Sequence, residues 1–249
     1  MPEKKQKKIK TEKISTGSFD LNKWLFGGYE SDVITMIVGP AGSGKTNFSV
    51  LAACSQAKKK NKVIFVDTEG GFSVDRVRQI VGENYEDILK NIMIFESTSF
   101  DEQKKFFSNL LNKVEKEQIG LIVVDGMATL YRIALGEVSG DEEKVKDVNG
   151  MVAWQMRVLA EISRKQKIPI IVTNQVYSDF LSDEDFKKGI ERETHFVGGD
   201  LLKYWSKCII ELKNDRGRRK AILVKHRSLP QKELVFEIRN AGIFKRGWI

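Results

Sequence analysis

The stretch VITMIVGPAGSGKT, residues 33–46, decides the fold class. Residues 33–38 form an apolar run of the length of a buried strand, and residues 39–46 match the phosphate-binding pattern G-x-x-x-x-G-K-[S/T]. A helical pattern over residues 45–59 follows directly. In this order of strand, glycine-rich turn and helix, loop N–H groups and the positive end of the helix dipole surround a phosphate. The predicted nucleotide-binding residues form one continuous loop: Gly39, Pro40, Ala41, Gly42, Ser43, Gly44, Lys45 and Thr46.

Polar residues at the ends of three further apolar runs extend the predicted site. Glu69 follows the run KVIFVD, Asp125 ends the run LIVVD, and Gln175 follows the run IPIIVT. The carboxyl ends of parallel strands meet at one edge of a sheet, where ligands bind. The alternatives are an exposed turn residue for Glu69, a solvated strand-end carboxylate for Asp125 and an ordinary polar strand end for Gln175.

Each of these residue types suits one part of nucleotide chemistry. Lys45 supplies a point charge to the β- and γ-phosphates, and the oxygens of Thr46 and Asp125 are hard ligands of the kind that Mg²⁺ prefers. Glu69 is the candidate carboxylate that orients and deprotonates the attacking water. The neutral amide of Gln175 is suited to bind the γ-phosphate and report its loss. We therefore expect Lys45, Glu69 and Gln175 to be catalytic, with ATP and Mg²⁺ as cofactors.

Strand and helix patterns alternate along most of the chain and predict an α/β fold. The predicted strands are residues 33–38, 62–67, 92–95, 121–125 and 168–173, and the predicted helices are residues 45–59, 73–81, 99–117 and 147–166. Near-continuous apolar strands separated by helices indicate a mainly parallel central sheet that is covered by helices on both faces.

The last third of the chain has a different pattern. Strands at residues 208–212, 220–225 and 234–238 are separated by short turns, and NDRG at residues 214–217 is a hairpin signal. These features predict an antiparallel C-terminal extension of the same sheet. The simplest organisation is a basic flexible arm over the first 13 residues and one core domain over the remainder, residues 14–249.

Positive charge is concentrated in two segments. The chain has 42 Lys and Arg against 34 Asp and Glu, a formal net charge of +8. Residues 1–13 carry six lysines against two glutamates, and residues 213–227 carry seven Lys and Arg against one acid. Clustered positive charge suits a polyanion through counterion release, while a solvated tail and a solvated hairpin are the alternatives.

Several classes of protein are excluded by the same sequence. No apolar run approaches the ~18 residues that a membrane-spanning helix needs, and no hydrophobic region follows the charged N-terminus. Two cysteines, Cys54 and Cys208, cannot make a disulfide framework, and neither they nor His195 have metal-ligand spacing. We therefore expect a cytoplasmic protein in a reducing compartment.

Seven segments, taken in order, resemble the RecA/RadA-type recombinases, and within that family the short archaeal paralogues. They are Thr16-Gly17-Ser18 with Leu21, Gly27-Gly28, GPAGSGKT at 39–46, DTEGGF at 67–72, LIVVDG at 121–126, TNQV at 173–176 and FVGGD at 196–200. The resemblance implies a RecA-type ATPase core that acts with DNA in homologous recombination and repair. It also implies that Arg76 lies against the adenine and that the segments after Tyr131 and after Val176 face DNA.

Four features depart from the full recombinases of that family. Only about 13 residues precede the core, and the F-x-x-A tetrapeptide that links protomers in filaments does not occur. Both DNA-facing segments are rich in acids; the second, residues 177–198, carries six acids against three bases. Lys225-His226-Arg227 stands where the full archaeal and eukaryotic recombinases have an acidic residue that caps a neighbour's ATP. We therefore expect weak Mg²⁺-dependent ATPase activity and no long filaments.

DNA contacts are then expected from the basic C-terminal segment, without dependence on base sequence and with single-stranded or branched DNA. The candidate residues are Arg216, Arg218, Arg219, Lys220, Lys225, His226 and Arg227. The triplet 225–227 has a second functional interpretation, contact with the nucleotide of a neighbouring subunit, and an exposed charged hairpin is the alternative without function.

Two other functions remain open. One is a non-hydrolysing, ATP-switched mediator that loads or regulates a full RadA-type recombinase, and the other is a KaiC-like signalling ATPase without a DNA role. The intact set Lys45, Thr46, Glu69 and Asp125 argues against complete loss of hydrolysis. The expected partners are DNA and a full-length recombinase, with a homodimer as a further option and no membrane.

Overall fold

A computed structural model describes residues 12–178, 194–215 and 217–247. The described strands are β1 (Lys13–Ile14), β2 (Tyr29–Glu30), β3 (Ile34–Gly39), β4 (Lys62–Asp67), β5 (Ile92–Glu96), β6 (Ile119–Asp125), β7 (Ile170–Ser178), β8 (Thr194–Phe196), β9 (Ser206–Asp215), β10 (Arg218–His226), β11 (Lys232–Arg239) and β12 (Gly242–Lys245). Residues 1–11 of the predicted arm lie outside this description, as do Arg216 and most of the acidic segment between β7 and β8.

Helices fill most of the connections between the parallel strands. They are α1 (Phe19–Trp24), α2 (Lys45–Ala57), α3 (Val74–Val81), α4 (Tyr85–Leu89), α5 (Phe100–Lys116), α6 (Thr129–Glu137), α7 (Glu142–Gln166) and α8 (Gly199–Trp205), with a 3-10 turn at Gly82–Asn84 between α3 and α4. None of these described helices is long and apolar enough to cross a membrane.

One ten-stranded sheet organises the fold, in the order β12-β11-β10-β9-β3-β7-β6-β4-β5, with β8 paired to β7 outside this path. The strands from β9 through β3, β7, β6 and β4 to β5 are parallel to their neighbours, whereas β9 to β12 pair antiparallel. The predicted α/β fold with a mainly parallel sheet and an antiparallel C-terminal extension is confirmed.

Two apolar cores lie on opposite faces of the sheet. One packs α2 and its neighbouring helices against the sheet and includes Phe48, Phe65 and Phe236. The other packs α5, α6, α7 and α8 against the opposite face and includes Phe107 and Met156. Both faces are covered, and this explains why β3 and β6 are apolar runs rather than alternating strands.

The predicted boundaries are accurate where local signals are strong. β4 spans residues 62–67 as predicted, and α5 begins after Ser99, whose side chain accepts a hydrogen bond from the N–H of Glu102. The prediction for α7 was too short at its start by five residues, because Asp141 caps a helix that already begins at Glu142. The separate helix α6 and the edge strand β12 were not predicted.

Candidate nucleotide site

The loop between β3 and α2 needs glycine at both glycine positions of the pattern, Gly39 and Gly44, and also at Gly42. Gly42 has φ of 73° and Gly44 has φ of 110°, both in the region that L side chains rarely adopt. A Cβ on Gly44 would lie 2.8 Å from Cδ1 of Ile238, and a Cβ on Gly39 would lie 2.6 Å from the carbonyl oxygen of Leu212. The loop is therefore packed closely against the C-terminal strands, and a side chain at either position would displace it.

Lys45 places its ammonium inside this loop. Its Nζ donates hydrogen bonds to the carbonyl oxygens of Gly39 at 2.9 Å and Pro40 at 3.1 Å. Burial lowers the pKa of Lys45, and the nearby carboxylates of Glu69 and Asp125 oppose that shift. A partly desolvated cation at the start of α2 is suited to bind an anion.

Asp125 joins the phosphate loop to the neighbouring strands. Its Oδ2 accepts a hydrogen bond from Thr46 Oγ1 at 2.7 Å, and its Oδ1 accepts one from Thr173 Oγ1 at 2.6 Å. Burial raises the pKa of Asp125, and the carboxylates of Glu69 and Asp67 add to the increase. A cation beside this carboxylate would offset the cost of its buried charge.

The oxygens of Thr46 and Asp125 fit the ligand preference of Mg²⁺. A Cβ on Gly71 would lie 3.3 Å from Thr46 Oγ1 and 3.6 Å from Asp125 Oδ2, so the absence of a side chain there keeps room beside both oxygens. The described residues contain no cluster of three or more His, Cys, Asp or Glu able to hold a metal. A magnesium ion here would therefore need further oxygens from phosphates and water.

Glu69 is held at the same edge of the sheet by two donors. Its Oε1 accepts hydrogen bonds from Gln175 Nε2 at 3.0 Å and from Thr129 Oγ1 at 2.7 Å. The turn that carries Glu69 is shaped by Asp67, whose carboxylate accepts hydrogen bonds from the N–H groups of residues 69, 71 and 72. The structure thus brings Glu69 and Gln175 together, and it adds Thr129, which sequence reasoning missed.

A cleft of about 440 Å³ connects these groups. The phosphate loop, Glu69 and Gln175 line one part of it, and Arg219 from β10 and Ile238 from β11 line another. Nε of Arg219 is buried and has no hydrogen-bond partner among the described residues. Arg219, which was predicted as a DNA contact, thus lines the same cleft as the phosphate loop.

Arg76 does not line this cleft. Its guanidinium donates to the carbonyl oxygens of Arg239 and Asn240, each at 3.0 Å, and to Gln79 Oε1 at 2.8 Å. These bonds fix α3 to the turn between β11 and β12. The expected contact of Arg76 with adenine stays a prediction.

Comparison with known proteins identifies the family. The family model for Rad51 matches residues 6–246. The chain belongs to the Rad51 family. It is 40% identical over 236 residues to the DNA repair and recombination protein RadB of Methanobrevibacter smithii, with 93% of this chain and 95% of that protein covered. The RadB proteins of Methanosphaera stadtmanae and Methanocaldococcus jannaschii are 38% and 36% identical, with 92% and 90% of this chain and 94% and 98% of those proteins covered.

In this Rad51-family chain, the triplet Lys225-His226-Arg227 is engaged in intramolecular contacts. Arg227 forms a bidentate pair with Asp32 at 2.6 and 2.9 Å, and its Nε lies 2.8 Å from Oε2 of Glu30, which is only 4% exposed. Lys225 Nζ donates to the carbonyl oxygen of Lys203 at 2.8 Å. The arginine therefore neutralises a buried acid of its own subunit.

His226 belongs to the same cluster. Its Nδ1 accepts hydrogen bonds from the N–H groups of Ser228 and Leu229 at 3.1 and 3.2 Å, so the neutral ring carries its proton on Nε2, which lies 3.9 Å from Glu30 Oε2. Burial lowers the pKa of His226. A pKa below its ordinary value favours the neutral ring near pH 7.

The other basic candidates divide between two faces of β10. Lys220 pairs with Glu233 at 2.8 Å, and Arg218 is exposed beside the hairpin turn, whereas Arg219 lines the cleft beside the phosphate loop. The alternation of side chains along a strand produces this separation. The DNA assignments of these residues stay predictions.

Proposed function

We propose that this recombinase paralogue binds ATP with Mg²⁺ in the cleft beside the phosphate loop, hydrolyses it slowly, and acts on DNA in repair and recombination. One observation carries the proposal: Lys45, Thr46, Glu69 and Gln175 line a single cleft, and Asp125 bonds Thr46 beside it, so that helix α2 and the ends of the three strands β4, β6 and β7 meet at one place. The names of the relatives, DNA repair and recombination proteins, support the DNA part.

Phosphate binding is assigned to the loop and its lysine. The N–H groups of residues 42–46 and the N-terminus of α2 supply a positive field, and Lys45 Nζ would exchange its carbonyl partners for phosphate oxygens. Mg²⁺, held by Thr46 and Asp125, would neutralise charge on the β- and γ-phosphates.

Hydrolysis is assigned to Glu69. Its carboxylate accepts a proton from a water molecule whose oxygen forms a bond to the γ-phosphorus, while the bond from that phosphorus to the β-phosphate bridging oxygen breaks and ADP leaves. Gln175 would turn its amide from Glu69 to the γ-phosphate, because the two acceptors lie on the same cleft.

Arg219 is a further nucleotide-binding residue in this proposal. It lines the same cleft as Glu69 and Gln175, and no salt bridge to it occurs among the described residues. A partly buried guanidinium without a counter-ion is suited to bind a phosphate oxygen. It shares this cleft with Ile238, whose side chain lies close to Gly44 of the phosphate loop.

DNA binding is proposed for the exposed side of the β9–β10 hairpin, around Arg218, and for the basic residues 1–11. Neither needs contact with base edges, so binding would be largely independent of sequence. Contact with a full-length recombinase and formation of a homodimer are further parts of the proposal.

The nucleotide part is tested with Lys45→Ala and Glu69→Gln. Lys45→Ala should weaken ATP binding strongly, because the loop loses its only lysine side chain. Glu69→Gln should bind ATP as the wild type does and lose hydrolysis, because an amide has the shape of the carboxylate but not its basicity. Fluorescent nucleotide titration and phosphate release measure the two effects. Equal hydrolysis by wild type and Glu69→Gln would show that another group activates water.

A further inference from the structure

Two donors from separate elements converge on one oxygen of Glu69. Thr129 is the first residue of α6, and Gln175 lies on β7; both donate to Oε1. No described hydrogen bond engages the other oxygen, Oε2. A carboxylate fixed through one oxygen retains the other to accept a proton from water.

The hydroxyl of Thr129 is itself held at a fixed place. The backbone N–H of Thr129 donates to the carbonyl oxygen of Gly126 at 3.0 Å, and Gly126 has φ of 87°. A Cβ on Gly126 would lie 2.7 Å from Cγ of Glu69 and 2.9 Å from Oγ1 of Thr129. Thr68 Oγ1 donates to the carbonyl oxygens of Asp125 and Gly126 at 3.0 and 2.8 Å. The end of β6, the start of α6 and the turn carrying Glu69 therefore form one cross-linked unit.

The two donors differ in what else they must do. The proposed function requires Gln175 to bind the γ-phosphate. Its amide N–H, which now donates to Glu69, would then no longer bond Glu69. Thr129 does not line the nucleotide cleft, and its hydroxyl bonds only Glu69 among the described residues. Thr129 therefore remains the donor to Glu69 when Gln175 reorients.

We propose that Thr129 is a positioning residue for hydrolysis: its hydroxyl holds Oε1 of Glu69 so that Oε2 meets the attacking water. The proposal rests on the proposed function, since it requires Glu69 to be the base. Without the hydroxyl, the carboxylate side chain gains rotational freedom and spends less time within reach of the water. Nucleotide affinity should be unchanged, because Thr129 reaches the cleft only through Glu69 and does not itself line it.

The test compares Thr129→Val with Thr129→Ser in single-turnover hydrolysis at saturating ATP and Mg²⁺. Valine has nearly the shape of threonine and lacks the donor, whereas serine keeps the donor. We expect the valine variant to hydrolyse ATP on the order of 10-fold more slowly with unchanged nucleotide affinity, and the serine variant to stay within about 2-fold of wild type. Unfolding temperatures of both variants check that the fold is retained.

A second comparison places Thr129→Val in the Glu69→Gln background. If Thr129 acts through Glu69, the double variant is no slower than Glu69→Gln alone. A wild-type rate for Thr129→Val, a serine variant as slow as the valine variant, or the same additional loss in the double variant would each overturn the proposal. Failure of the proposed function is distinguishable, because wild type would then not hydrolyse ATP or Glu69→Gln would keep the wild-type rate.

Discussion

The hydroxyl of Thr46 donates a 2.7 Å hydrogen bond to Oδ2 of Asp125, although 79 residues separate the two in sequence. The contact joins the start of α2 to the end of β6 across the sheet edge. The Thr46 hydroxyl thus bonds the carboxylate oxygen that the proposed function assigns to Mg²⁺. The same bond holds the two candidate ligands together when no cation is bound. Nucleotide binding should therefore depend on Mg²⁺ through this pair.

Asp125→Asn is expected to remove most of the Mg²⁺ dependence of nucleotide affinity. An amide keeps the size of the carboxylate but removes the charge that binds the cation. Burial raises the pKa of Asp125, so the ionised form is disfavoured in the folded chain, and a neutral amide there should not lower the unfolding temperature measured without nucleotide. Titrations with Mg²⁺ and with EDTA measure the effect. An unchanged ratio of the two affinities would contradict the assignment.

Much of the geometry of the candidate nucleotide site was predictable because its signals are local. The phosphate loop follows from glycine spacing, and the meeting of Glu69, Asp125 and Gln175 follows from the rule that parallel strands end at one edge. The register of the parallel strands explains why these residues meet, since Asp67 pairs with Asp125 and Gly39 pairs with Gln175. A strand order with these neighbours brings the predicted carboxylates and the amide together.

Other contacts depend on packing between distant segments. Whether Arg218 or Arg219 faces the phosphate loop depends on which face of β10 lies over α2, and the sequence pattern does not specify this. Arg227 meets Asp32 across 195 residues of sequence, so its charge looked available for DNA. Thr129 could not be singled out from the sequence, because only the tertiary fold brings Glu69 to the start of α6.

Arg227→Ala is expected to destabilise the fold. Glu30 is 4% exposed. Without the guanidinium of Arg227, the more distant His226 is the one basic partner of the Glu30 carboxylate in the described salt bridges. Exposed ion pairs contribute about 1 kcal/mol or less, and breaking a buried pair costs about 3–5 kcal/mol; the half-exposed Arg227 should fall between these limits. Urea unfolding measures the difference in free energy. Lys220→Ala, which removes an exposed pair with Glu233, is the matched control and should change stability by less than about 1 kcal/mol.

The same cluster predicts a loss of stability in acid. Burial lowers the pKa of His226 below its ordinary value, so the unfolded chain binds a proton more readily, and stability should fall as the pH drops below about 6.5. The hydrogen bond from Arg227 holds the pKa of Asp32 below its usual value, so its contribution is present above about pH 4 and is lost at lower pH. His226→Asn, which retains an acceptor near Nδ1, should remove the decline that begins near pH 6.5. A decline of equal size in that variant would assign it to another group.

Arg219→Gln is expected to weaken ATP binding by about 10- to 100-fold, since a hydrogen bond to a charged group contributes about 1.5–3 kcal/mol. Arg218→Gln is the matched control, because Arg218 is the adjacent residue on β10 and does not line the cleft. It should leave nucleotide affinity unchanged. Equal affinities for both variants and wild type would show that Arg219 makes no phosphate contact.

DNA affinity should depend on Arg218 rather than on Arg219. Arg218→Gln combined with Arg216→Gln is expected to weaken DNA binding and to flatten the slope of log affinity against log salt by about 0.7–0.9 for each DNA phosphate that the variant no longer neutralises. Arg219→Gln should not change that slope in the absence of nucleotide, because its guanidinium faces the cleft. Deletion of residues 1–11 tests the basic arm in the same assay. If the double variant binds DNA with wild-type affinity and slope while the deletion abolishes binding, the arm is the DNA contact and the hairpin is a solvated surface.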